Sequence, residues 1–290
     1  MSHDLEFAGR NATWVFGSDG VRIDYAQGRL DSVLLRSLGS RTVPHTAIED
    51  VTVSGGSSDP VLTLVPATGL DPLTEVARGQ LEPHEDPYRL VLDKDRADLA
   101  RYHRDRLLDA AAVARERGPV PAGFQLDAPR PPQRIDGYDG TAELTGTDLT
   151  VTWRTDAEPT KLRTGTRTHR LSEVRGVEWL RPGVMSGRLR ILHDRPAAPR
   201  GTRDEDDPDV LLFGMGYGSV GDTLPFAAAV LAAAERAGGT SGGPASGDAD
   251  PATGADDVIR QIEALGRLRD DGVLEPAEFE AKKKQLLDRL

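Results

Sequence analysis

The sequence predicts an α+β protein made of two like domains in tandem, followed by a small helical hairpin. Three observations carry this reading. A strand-turn-strand stretch occurs twice, a helical pattern ending in glycine closes each copy, and a polar, glycine-rich stretch sets off a final amphipathic segment. The two copies of the hairpin run from Trp14 to Tyr25 and from Ala142 to Trp153 at a constant offset of 128. Phe16 falls on Leu144, Val21 on Leu149, Ile23 on Val151 and Tyr25 on Trp153. Each copy alternates apolar and polar residues about a short Gly/Asp/Ser/Thr turn, the pattern of a hairpin with one buried face. Internal repetition on this scale fixes the architecture before any residue suggests a function.

After the first hairpin, Leu30 to Arg36 reads as a third strand. Val43-Pro44 marks a corner, Ile48, Val51 and Val53 a short strand, and Val61 to Val65 another, closed by Pro66. A loop with one helical turn at Pro72–Ala77 leads to a returning strand at Asp86 to Leu92. A helix is expected from Arg96 to Arg117, with Leu99, Leu107, Leu108, Ala111 and Ala112 as its apolar stripe and Gly118 as its stop. The second copy repeats this order through Thr168–Trp179, Leu189–Leu192, Val210–Phe213 and a helix from Thr223 to Ala237. Six or seven strands closed by one C-terminal helix, twice over, is the element order of a pleckstrin-homology-like β-barrel. The expected domains are therefore 1–118 and 137–238, joined by a stiff, extended proline-rich linker at 119–136.

Residues 239–255 are Gly, Ser, Pro, Ala, Thr and Asp, and cannot bury a core, so they are expected to be a disordered tether reaching about 20–25 Å. In the segment 256–290, Ile262, Leu265 and Leu268 share one helical stripe, and Asp270-Asp271-Gly272 ends that helix. Leu274 precedes Glu275-Pro276-Ala277-Glu278, a helix start with proline at the first position, and Phe279, Leu286 and Leu287 face inward on the second helix. So short a hairpin does not ordinarily fold alone, and its apolar seam is expected to take a protein partner or a second copy.

The tail carries a Leu-x-Asp-Asp-Gly-x-Leu-x-x-x-Glu-Phe-x-x-Lys-Lys-x-x-Leu-Leu core and resembles the short C-terminal domain abbreviated SHOCT. Residues 11–238 are similar to a bacterial family of duplicated domains of unknown function, numbered 4429. The Trp14 hairpin, Asp71-Pro72-Leu73, Asp86-Pro87-Tyr88-Arg89-Leu90 and Gly176-Val177-Glu178-Trp179 carry that similarity. The resemblance implies a fold and a docking or oligomerisation role for the tail, and no catalytic residues.

Composition narrows the remaining classes. The 290 residues carry a net charge of −11, which disfavours binding to a nucleic-acid backbone. Cysteine is absent, so disulfides, thiolate metal sites and a thiol nucleophile are excluded. The start of the chain lacks the pattern of a signal peptide, and the longest apolar run, Phe226 to Ala234, is too short to span a bilayer. A cytoplasmic location is expected.

Four motifs invite chemistry. Gly216-Tyr217-Gly218-Ser219-Val220-Gly221 has dinucleotide-binding spacing, but no parallel strand follows to carry a ribose-binding acid. The acidic run Asp204 to Asp209 fails calcium-loop spacing. The six histidines are scattered, so neither a metal site nor any cofactor is expected, and no nucleophile, base and orienting group occur together. One feature survives. Between Arg154 and Arg190 nine basic residues face four acidic ones, and Arg163, Arg167, Arg170, Arg188 and Arg190 form a candidate anion-binding patch. The sequence thus reads as a non-enzymatic binding and assembly protein that docks through its tail. The alternative is peripheral contact with an anionic lipid or ligand through the basic stretch.

Overall fold

The computed structural model describes residues 5–238, apart from 29–30, 56–58, 122, 129–132, 185, 195–198 and 200. The tether at 239–255 and the tail at 256–290, with Ile262, Leu265, Leu268, Leu274, Phe279, Leu286 and Leu287, lie outside the described residues. The first repeat runs β1 (Leu5–Ala8), β2 (Ala12–Phe16), β3 (Gly20–Tyr25), α1 (Val33–Leu38), β4 (Ser40–Pro44), β5 (Ile48–Ser54), β6 (Val61–Pro66), α2 (Pro72–Ala77), β7 (Arg89–Val91) and α3 (Ala97–Arg117). The second runs β8 (Gln133–Asp136), β9 (Gly140–Leu144), β10 (Asp148–Trp153), α4 (Pro159–Thr164), β11 (Arg167–Arg170), β12 (Val174–Leu180), β13 (Arg188–His193), β14 (Val210–Leu212) and α5 (Val220–Gly238).

The duplicated hairpin is present in both halves. Val21 pairs with Phe16 as Leu149 pairs with Leu144, and Val21, Ile23, Leu149 and Val151 all point into a core. Each repeat is an antiparallel four-stranded sheet, β1-β2-β3-β4 or β8-β9-β10-β11, with a three-stranded sheet, β5-β6-β7 or β12-β13-β14. The expectation of closed barrels is not met. Among the described residues both sheets are open, and a 3-10 turn at His45–Ala47 or Leu171–Glu173 carries the chain from one to the other.

Side chains close the seam that a strand ladder would otherwise close. In the first repeat Asn11 donates from Nδ2 to Arg89 O (2.8 Å) and accepts at Oδ1 from Val91 N (2.8 Å). Its amide thus pairs with β7 from the β1–β2 turn. In the second repeat the corresponding residue is Asp139, which accepts from Leu212 N (2.9 Å) but has no proton to donate. Lys161 provides the missing donor. Its Nζ, fully buried, lies 2.5 Å from Asp139 Oδ2, 2.8 Å from Val210 O and 4.9 Å from the centre of the Trp153 ring. At the matching place in α1 the first repeat has Leu35.

Three sequence expectations are corrected. The segment read as a third strand is helix α1, because Ser32 Oγ accepts from Leu35 N and Gly39, at φ +67°, returns its N–H to Leu35 O. The linker expected at 119–136 is not simply extended. Leu126 is buried in the first core with its N–H on Leu70 O (2.7 Å), and Gln133–Asp136 already forms β8 of the second repeat. On α3 the buried stripe is Ala100, His103, Leu107 and Ala111. Leu99 turns outward, while His103 stacks on Phe16 at 4.7 Å.

Helix α5 departs most from its counterpart. Where α3 is charged on its outer face, α5 is buried from Thr223 to Ala234. It packs on β12 of its own repeat and on α1 and α2 of the first. Leu34, Leu73, Val76 and Ala77 accordingly belong to the second core, while Leu35 belongs to the first, so adjacent leucines of α1 serve different cores. Gln80 completes the junction, donating to Trp179 O (2.8 Å) and accepting from Arg181 N (3.0 Å). The Arg181 guanidinium meets Glu85 and Glu82.

Replacing Lys161 with leucine leaves Asp139 buried without its counter-charge and should cost about 3–5 kcal/mol. Asp139→Asn combined with Lys161→Leu copies the first repeat and should recover most of that loss. Urea denaturation of the two variants checks this, and equal destabilisation in both would refute it.

Candidate functional site

The basic stretch divides between two sheets. Arg163 ends α4 and is exposed, Arg167 and Arg170 bound β11, and Arg188 and Arg190 lie on β13. The acidic run meets several of them. Arg188 Nη1 donates to Asp204 Oδ2 (2.6 Å), Arg190 Nη2 donates to Asp204 Oδ1 (2.7 Å), and Arg167 Nη2 lies 3.2 Å from Asp209 Oδ1. The basic strands and the acidic loop, separate features in the sequence, are thus each other's partners. Of the five arginines, Arg163 and Arg170 are exposed.

The glycine-rich turn before α5 is explained by packing. Gly214, Gly216 and Gly218 take φ of +118°, +88° and +72°, which side chains rarely adopt. A Cβ on Gly221 would come within 2.8 Å of the Val33 carbonyl oxygen, so this glycine lets α5 approach α1 across the junction.

Two places gather chemistry-bearing side chains. One is a cleft of about 980 Å3 beside the junction, lined by β6, α2, Asp86, Tyr88, Arg89 and Glu235 near the end of α5. At its floor Asp71 holds a buried network. Its carboxylate accepts from Arg41 Nη2 (2.6 Å), from Tyr88 OH (2.9 Å) and from the backbone N–H groups of Leu73 and Thr74, which start α2. Asp71, Glu75, Asp86 and Glu235 give the lining an acidic character against Arg89. Burial pushes the carboxyls of Glu75, Asp86 and Glu235 up, and for Glu235 the charge of Glu75 adds to it.

The other place lies in the second repeat, where His169 of β11, His193 at the end of β13 and Asp209 just before β14 converge. One potential ligand atom of each lies within 4.8 Å of the others. His193 Nε2 is 3.0 Å from Asp209 Oδ2, His169 Nε2 is 3.9 Å from Asp209 Oδ1, and the two rings stack at 5.7 Å. The three residues are far apart in sequence and come from two strands and a turn, so helical spacing gave no sign of them. The usable signal was strand register, which sets His169 opposite Leu149 and His193 opposite Val174.

A model of the family described as "Domain of unknown function (DUF4429)" matches residues 14–108 and 142–231, one segment per repeat and well over half of the chain. The chain belongs to this family. A second model, "Short C-terminal domain" or SHOCT, matches residues 260–287. No curated protein matches the chain. The two DUF4429 segments begin at Trp14 and Ala142, the first residues of the 128-residue offset, and end within α3 and α5. Among the described residues no helix is long and apolar enough to cross a membrane.

A carboxyl whose folded pKa is raised costs stability above that pKa and nothing below its unfolded value. Glu75→Gln and Glu235→Gln should therefore each stabilise the protein at pH 7, by less than about 1 kcal/mol because both side chains are also exposed to screening solvent. The gain should fade as the pH falls and vanish below the ordinary value of 4.5. Thermal unfolding of both variants at pH 7 and pH 4 checks this, and a gain equally large at pH 4 would refute it.

Proposed function

We propose that this chain is a non-enzymatic binding and assembly protein. In this reading the two DUF4429 repeats form one rigid double module, and the SHOCT tail docks to a partner protein or to a second copy. The observation that carries the proposal is the pairing of a SHOCT match at 260–287 with repeats joined through α5. The strand order of each repeat, four antiparallel strands, then three, then a C-terminal helix, supports a pleckstrin-homology-like module. Such a scaffold presents loops and edges for recognition. In the tail, the spacing of Ile262, Leu265, Leu268, Leu274, Phe279, Leu286 and Leu287 predicts an apolar seam larger than two short helices cover between themselves. At about 25 cal/mol per Å2, leaving part of that seam in water forfeits several kcal/mol, which favours pairing with another surface. Peripheral binding of an anionic lipid or ligand is less well supported, because Arg167, Arg188 and Arg190 already face Asp209 and Asp204.

Phe279→Asp places a charge in the seam and should abolish association. Analytical ultracentrifugation of the intact protein, Phe279→Asp and a chain ending at Gly238, each with and without cell lysate, reads the result. Loss of the larger species or of the captured partner in both altered chains is expected. Identical monomers with identical partners in all three would end the proposal.

A further inference from the structure

We propose that His169, His193 and Asp209 form a divalent metal site of the zinc class in the second repeat. The site would use one imidazole from the four-stranded sheet, one from the three-stranded sheet and a carboxylate from the turn before β14, so it spans the open seam between the sheets.

The distances suit a single small cation. Zinc binds imidazole nitrogen and carboxylate oxygen at about 2.0–2.2 Å, which sets neighbouring tetrahedral ligands roughly 3.3–3.5 Å apart. His193 Nε2 lies 3.0 Å from Asp209 Oδ2 and His169 Nε2 lies 3.9 Å from Oδ1 of the same carboxylate, on either side of that value. The three side chains are 2%, 6% and 14% exposed, in the order His169, His193, Asp209. Despite these approaches, neither ring nitrogen of His193 makes a hydrogen bond among the described residues. Polar groups buried in this way normally find partners, and a cation shared with the Asp209 carboxylate would give a His193 nitrogen one.

Comparison of the repeats separates function from scaffold. At the three equivalent positions the first repeat has Val43, Pro66 and Tyr88, set by the same strand registers. The fold therefore forms without any of the three ligands, and their joint appearance in the second repeat is not a requirement of the sheets. Arg167 Nη2, 3.2 Å from Asp209 Oδ1, holds one carboxylate oxygen and leaves Oδ2 for the metal, an outer-shell arrangement that fixes the ligand's orientation. Two imidazoles favour zinc and its neighbours over magnesium or calcium, which prefer oxygen donors. Three protein ligands leave one tetrahedral position to water or to an incoming donor, on the side where Asp209 reaches solvent.

The test uses the intact protein, stripped of metal with a chelator and titrated with Zn2+ by calorimetry and with Co2+ by visible absorption. About one metal per chain is expected, with the strong absorption of four-coordinate cobalt and no competition from millimolar Mg2+. His193→Gln and Asp209→Asn should each weaken zinc binding by more than the roughly 100-fold that outer-shell changes reach. His84→Gln, on an exposed loop of the first repeat, should leave it unchanged. Anomalous scattering at the zinc edge from wild-type crystals locates the ion without any substitution, and so decides the matter if the variants do not fold. Absence of zinc uptake by the intact protein overturns the proposal. So does unchanged affinity in folded His193→Gln, or zinc density away from these three residues, either of which leaves His193 and Asp209 as a simple ion pair.

Discussion

Burial of α5 on all sides is the constraint from which the rest of the structure follows. A helix of alanine, leucine, valine and phenylalanine with no polar face before Glu235 has no stable place on the surface of a single sheet pair. It is satisfied only when α1 and α2 of the first repeat cover the side that β12 does not. That requirement accounts for the exposure of an apolar side of α1, beginning at Leu34, toward the second repeat. It also accounts for the division of Leu34 and Leu35 between two cores, and for a glycine at 221 where α5 meets Val33. The hydrogen bonds of Gln80 and the ion pairs of Arg181 then fix the register of an interface whose free energy is mainly apolar.

The two repeats solve one polar problem by different chemistry. Both must satisfy main-chain groups on β7 or β14 from a turn in the other sheet. A neutral amide does it in the first repeat, since one asparagine both donates and accepts. In the second, an aspartate accepts and a buried lysine donates, so a side chain from a different element replaces half of one amide. The charged version depends on both partners being present, because a carboxylate and an ammonium are far more costly to bury singly than together. The cores have diverged likewise. The first repeat fills the space around Arg41 with Asp71 and Tyr88, while the second sets Arg167 against Asp209 beside two histidines.

Much of this architecture was legible in the residues, and the limits of that legibility have physical causes. The duplicated hairpin, the turn of helix at Pro72–Ala77 and the two closing helices announce themselves through local periodicity and capping, which need no knowledge of the partner. Helix α1 was misread because Val33, Leu34 and Leu35 suit a strand by propensity, although Ser32 and Gly39 supplied both caps. The apolar run in α5 was visible, but nothing local says that its second face meets another repeat. The tie between the acidic run and the basic strands, and the convergence of two histidines on Asp209, depend on strand register and on a loop folding back. One-dimensional spacing does not encode either. The closed barrels expected from element order gave way to open sheets because seam contacts belong to side chains, which a strand count does not see.

The contact made by α5 is directional, and this limits how far the architecture extends. The second repeat offers its closing helix, and the first offers the faces of α1 and α2, so the interface is head-to-tail rather than two-fold. Head-to-tail contacts propagate unless the ends are blocked. Here the corresponding outer surfaces of α3 and α4 are more polar than the one that α5 uses. The first repeat's closing helix, α3, turns Arg101, Asp105 and Arg106 outward beside Leu99, Tyr102 and Val113, a far more mixed surface than that of α5. At the other end α4, the counterpart of α1, turns Lys161 inward and has Thr160, bonded to Asp206, at the position of Leu34. Each repeat thus covers an apolar face that the other cannot cover for itself, and the contact joins two unlike surfaces of one duplicated fold.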